Sequence, residues 1–239
     1  MQIGALSRWL AIIGVGTTAT VFAMACPKDA TTTPPLTEGD VTQRMQGHFE
    51  TVSEIKDAVI GDDLATVHEL GEVLRDREPT TDPVEWKPHV TRLVEASSAA
   101  ATAADLPAAA NAAAALGAAC GTCHEATSAD PAFDPDPPPM EEDNPAARMR
   151  RHKWGVDRMW EGLIGPSAES WRWGAETIDE TPGCDAVDPD DQYRQELCHR
   201  IEALGRSALD ARDQDDRKRI YGEFLATCAA CHNLDVPPE

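Results

Sequence analysis

Basic residues are scarce in this chain. Among 239 residues, 21 lysines and arginines stand against 42 aspartates and glutamates, a formal charge of −21. A nucleic-acid binder carries the opposite excess, so that class is excluded. The balance suits an exposed, soluble surface that docks on positively charged partners. Sustained alternation of apolar and polar residues is also missing, so no β-strand is expected. There is no serine–histidine–acid constellation, phosphate-binding loop or His-Glu-x-x-His zinc motif. Nothing in these absences points to an enzyme.

What is present is a doubled motif. Cys120-Gly121-Thr122-Cys123-His124 and Cys228-Ala229-Ala230-Cys231-His232 each stand late in one half of the chain. Cys-x-x-Cys-His is the spacing of covalent haem c attachment. On a helix, cysteines three apart share a face, so both sulfurs reach the vinyl positions of one porphyrin. The next histidine then offers an imidazole as proximal iron ligand. The expectation is two haem c groups, held by Cys120 and Cys123 with His124, and by Cys228 and Cys231 with His232. The alternative is one zinc ion held by all four cysteines, which requires the halves to meet at the metal and leaves both histidines unexplained.

Three cysteines remain. Cys184 and Cys198 lie in one loop-and-helix segment, and a disulfide is the simple reading for an exported domain. Export is expected from residues 1–25, where Arg8 precedes an apolar run from Trp9 to about Ala25. That run is short for a spanning helix and reads as a signal peptide. It ends in Ala23-Met24-Ala25 before Cys26, which resembles a bacterial lipoprotein box. A lipidated Cys26 would anchor the chain to a membrane; without lipidation the protein would be soluble in the periplasm.

The rest divides in two. A Thr- and Pro-rich tether spans 26–37, and a Pro/Asp-rich linker spans 128–142. The halves are 38–127 and 143–236, and each reads as four helices. They run 39–59, 62–77, 83–104 and 107–126, then 144–163, 167–180, 189–210 and 213–233. Breaks at Gly61-Asp62-Asp63, Leu106-Pro107, Gly165-Pro166 and Pro182-Gly183 separate them. The fold class is therefore all-α, two tandem antiparallel four-helix bundles. An internal repeat supports the division. Met45, His48, Val52, Ile55 and Val59 recur as Met149, His152, Val156, Met159 and Leu163, each 104 residues on, while the cysteine motifs are 108 apart. Three-four spacing turns this stripe toward a core.

A bundle with Cys-x-x-Cys-His on its fourth helix resembles the class II c-type cytochromes, the cytochrome c prime fold. The resemblance covers both halves and rests on the motif and the Arg-Met pair of each first helix. It implies that Met45 and Met149 face the sixth position of iron, as in the low-spin, methionine-ligated branch that transfers electrons. Family members commonly follow the motif with an aromatic-basic pair. Here Glu125-Ala126-Thr127 and Asn233-Leu234-Asp235 follow instead.

His48 and His152, on the same stripe, are the alternative distal ligands, and would give bis-histidine haem of lower potential. Arg44 and Arg148 are candidates to pair with haem propionates. The expected function is a membrane-anchored periplasmic dihaem electron-transfer protein working with redox partner proteins, or an accessory subunit of a membrane respiratory complex. The runner-up is an NO- or CO-binding haem protein with an open sixth position.

Overall fold

Among the described residues, seven of the eight α-helices begin on a side chain that caps them. Thr37, Asp63, Asp105, Asn144, Ser167, Asp191 and Asp213 each accept a backbone N–H three residues on. Each such cap contributes about 1 kcal/mol by satisfying an orphan donor. The helices, in a computed structural model, are α1 Glu38–Ile60, α2 Leu64–Asp76, α3 Lys87–Ala101, α4 Leu106–Thr127, α5 Pro145–Ile164, α6 Ala168–Asp179, α7 Gln192–Leu209 and α8 Gln214–His232. The exception, α3, continues from a 3₁₀ turn at Val84–Trp86. The structure describes residues 37–77, 83–133, 144–181, 184 and 187–233, and no strand occurs among them. The signal segment, Cys26, nearly all of the tether and most of the 128–142 linker lie outside the described residues.

Neighbours in sequence pack as neighbours in space. α1 packs on α2, α2 on α3, α3 on α4, and α1 also meets α4; likewise α5 packs on α6, α6 on α7, α7 on α8, and α5 meets α8. The two sets of four share a broad seam. Across it α4 lies along α8, α4 touches α5, and α1 touches α8.

Small residues make the seam. α4 buries nine alanines and glycines from Ala109 to Gly121. A Cβ added to Gly222 of α8 would come within 2.7 Å of the Asn111 side chain and 3.5 Å of Ala114. The alanine run thus serves close helix packing. It also makes α4 apolar enough to span a membrane by length and composition, but 56% of that stretch is buried inside the protein.

The seam has an internal two-fold pattern. Trp160 donates its indole N–H to Ser53 Oγ at 3.0 Å. Lys56 Nζ donates to Asp157 Oδ1 at 2.6 Å. Ser53 and Asp157 are 104 residues apart, as are Lys56 and Trp160. Each repeat position therefore meets the other's counterpart, the signature of a self-complementary interface. Ala114 and Gly222, 108 apart like the motifs, touch each other near the axis.

Large side chains fill the space beside it. Trp160 stacks on Tyr221 with ring centroids 5.4 Å apart, and Tyr221 donates its hydroxyl to the Val156 carbonyl at 3.1 Å. Trp171 donates to the Ala208 carbonyl at 2.8 Å. Each aromatic buries its apolar body while its polar end keeps a partner. The repeated stripe is core at its later positions: Val52, Ile55, Val59, Met159 and Leu163 are fully or nearly fully buried.

Candidate functional site

The last turn of α8 carries Cys228, Cys231 and His232 on one face. Opposite stands the first half of α5, with Arg148, Met149, Arg150, His152 and Val156. Together these residues line a cavity of about 880 Å³, within the ~300–1,000 Å³ of small-molecule and cofactor sites. Its walls are chiefly apolar: Ile178 from α6, Leu197 and Ile201 from α7, and Phe224 one turn before Cys228. Arg148, Arg150, Lys153 and Arg194 bring positive charge to it. The structure thus gathers every residue singled out for the second site into one place.

Asp57 and Ile60 also line this cavity, although they end α1 in the first half. No sequence signal announced them, because they come from across the seam. Phe224 could have been found, since it sits four residues before Cys228 and so on the same helix face. Cys198 lines the wall and is disulfide-bonded to Cys184, with Cα atoms 5.5 Å apart. The bond staples α7 to the turn after α6.

The two distal candidates differ in what they are already doing. The Nε2–H of His152 donates to the Thr181 carbonyl at 3.2 Å. Burial lowers the pKa of His152, and the Thr181 bond opposes this only partly, so the ring stays neutral. Metal binding through Nε2 would cost that bond. Met149 lines the cavity and is 49% exposed. Burial pushes the Cys228 thiol up to about 12, with the neighbouring Cys231 acting in the same direction. At neutral pH it is a thiol, not a metal-binding thiolate.

The first motif sits differently. Cys120 packs against the hydrophobic core, and Cys123 and His124 are half-buried. The Nδ1 of His124 lies 2.8 Å from the Ile164 carbonyl and donates to it, leaving Nε2 with its lone pair. Met45 is half-buried on α1, and His48 is buried at 6% exposure. Arg44 and His48 line a second cavity of about 370 Å³ with Asp40, Gln43, Gly47 and Arg77. Neither Met45 nor the Cys120–His124 motif lines that cavity, so it does not unite the first set of candidates.

A shared zinc site is not assembled. Among the described residues, the one group of three or more ligating side chains close enough for a common ion is Cys184, His199 and Glu202. The Cys184 sulfur is spent in the disulfide. The four motif cysteines form no such group and are in no disulfide. Of the two unrepeated histidines of the first half, His68 and His89, His68 bonds the Ala103 carbonyl at 2.8 Å and ties α2 to the turn before α4.

Two thiols, two imidazoles and a thioether thus border one chiefly apolar volume. No family model, curated protein or solved structure matches this chain.

Proposed function

We propose that the chain is a dihaem c-type cytochrome that transfers electrons at the periplasmic face of a membrane. Its two sets of four helices are read as tandem antiparallel bundles of the class II type, 38–127 and 143–236. The observation that carries the proposal is the larger cavity, where Cys228, Cys231 and His232 face Met149 across apolar walls. This donor set fits haem c. Two thiols three residues apart match two vinyl carbons, the walls match a flat apolar ring, and Arg148, Arg150 and Arg194 match its carboxylates.

Bound haem supplies one-electron chemistry through its iron. The chain's residues do the rest. Cys228 and Cys231 would tether the group, and His232 and Met149 would offer its iron a nitrogen and a sulfur donor. Ile178, Leu197 and Phe224 keep water out, which favours the less charged, reduced centre. At the first site Cys120, Cys123 and His124 would take the same roles, with Met45 or His48 as the distal donor and Arg44 as a partner for the carboxylates. Lipidation of Cys26 would hold the protein at the membrane, beside redox partners such as a respiratory complex.

The test is the mass and optical spectrum of the exported protein. Two added haem masses and low-spin spectra in both oxidation states are expected, with no rapid CO binding by the reduced form. Met149→Ala should convert one centre to a CO-binding form, while His152→Ala should not. Absence of added haem would sink the reading. Rapid CO binding by the unaltered protein would instead favour an NO- or CO-binding role.

A further inference from the structure

We infer that the closing turn of α5 is the outer support of the first motif's histidine, so that the first site is completed by the other half of the chain. The inference rests on the reading of His124 as an iron ligand.

The last carbonyls of a helix have no donor within it and form its negative end. In α5 these carbonyls are taken up by α8 of the same set and, at the last residue, by α4 across the seam. Arg217 of α8 donates to Gly162 O at 3.3 Å, Gln214 of α8 to Leu163 O at 2.9 Å, and His124 of α4 to Ile164 O at 2.8 Å. A ring N–H given to a carbonyl fixes the tautomer, aims the other nitrogen and raises its basicity. The carbonyl at the negative end of a helix strengthens that effect. A more basic ligand favours ferric iron, so the contact lowers the potential of the first centre.

Gly121 shows that the approach is built. It stands between the two cysteines, where the motif itself demands nothing, and the second motif has Ala229 in that place. A Cβ on Gly121 would run into the Leu163 carbonyl oxygen and Gln214 Nε2. The missing side chain is the space that the α5 terminus occupies. Gly121 and Gln214 are therefore positioning residues. The arrangement has a counterpart. Ile60 and His232, 104 and 108 residues from Ile164 and His124, line the larger cavity together. The end of each first helix thus lies at the motif of the opposite half. An ordinary interface hydrogen bond would share the geometry but leave the iron indifferent, and that difference is measurable.

The full-length exported protein is compared with its Gly121→Ala, Gln214→Leu and Ala229→Gly variants. Two quantities are read: the midpoint potential of each centre by spectroelectrochemistry, and the exchange rate of the His124 Nδ1 proton by NMR. Gly121→Ala should raise one midpoint, leave the other in place and speed exchange of that proton. Gln214→Leu removes a tie to the same helix end and should act in the same direction to a smaller extent; it decides the matter if Gly121→Ala does not fold. Ala229→Gly should leave the first midpoint and the His124 proton unchanged. Unshifted midpoints in both Gly121→Ala and Gln214→Leu would overturn the inference. A preparation without haem would sink the electron-transfer reading instead. The His124 proton still judges the positioning there, because a rapidly exchanging proton in the unaltered protein would overturn it.

Discussion

Glu161 is held where a carboxylate is costly. One oxygen is bonded to Arg158, while the other is buried without a hydrogen-bond partner. Burial outweighs the attraction of Arg158 and raises the pKa to about 7 from 4.5. The folded state then keeps a proton that the unfolded chain has released. Between pH 4.5 and about 7 the folded form binds more protons, so stability falls as pH rises through that window. Glu161→Gln should remove the fall. Urea unfolding at pH 5 and pH 8 should show the variant gaining on the parent at the higher pH, by on the order of 1–2 kcal/mol once solvent screening is allowed for. Equal differences at both pH values would refute this. Nothing in the sequence around Glu161 signals the shift, because its cause is burial in the folded chain. Met149 and His152 were legible as candidates, since repetition marks both, and both line the larger cavity. Which of them is engaged elsewhere was not, because the Thr181 carbonyl that takes the His152 proton has no side-chain identity to read.

At the scale of elements, most helix boundaries were legible. Asp105, Asn144 and Asp213 are residues whose short oxygens reach a backbone N–H, and Pro107 and Pro145 tolerate the first turn. Boundaries set by a local turn were less so. The expected 83–104 helix stops at Ala101, with Thr102 and Ala103 turning back on Ala100. The expected 189–210 helix starts at Gln192, because Asp188 folds residues 188–191 into a turn and Asp191 is the true cap. That turn is stapled. Cys184 and Cys198 are 14 residues apart, and a closure of this length is worth about 3 kcal/mol. Replacing both by serine should lower stability by about that amount in urea unfolding under non-reducing conditions. Adding a thiol reductant to the parent should reproduce the loss, whereas a change under 1 kcal/mol in both would show the staple to be idle.

For the whole molecule, the seam between the two sets of helices carries a buried charge. The Lys56 side chain is 4% exposed and lies between Asp57 and Asp157. Burial alone would raise the Asp157 pKa, but Lys56 and Lys153 together hold it below the usual carboxylate value. Lys56→Met should cost about 2–3 kcal/mol, less than a fully buried pair because Lys153 still faces Asp157. Lys56→Met with Asp157→Leu should recover most of the loss, and strict additivity of the two single changes in thermal melts would disprove the pairing. The seam was the least legible part of the chain. The repeat announced two similar halves, but nothing in it says which face of one meets the other.

The reversed pairing of Ser53 with Trp160 and Lys56 with Asp157 has a directional consequence. Two copies of the first half joined in the same manner would set Lys56 against Ser53 twice. That leaves a buried ammonium with no carboxylate of the Asp157 kind, at a cost of several kcal/mol. Two copies of the second half would set Asp157 against an indole twice. Both homotypic unions forgo the Lys56–Asp157 pair, and only the heterotypic one sets the buried ammonium against that carboxylate. Divergence at two repeat positions thus steers each half toward its covalent sibling and away from its own likeness in a neighbouring molecule.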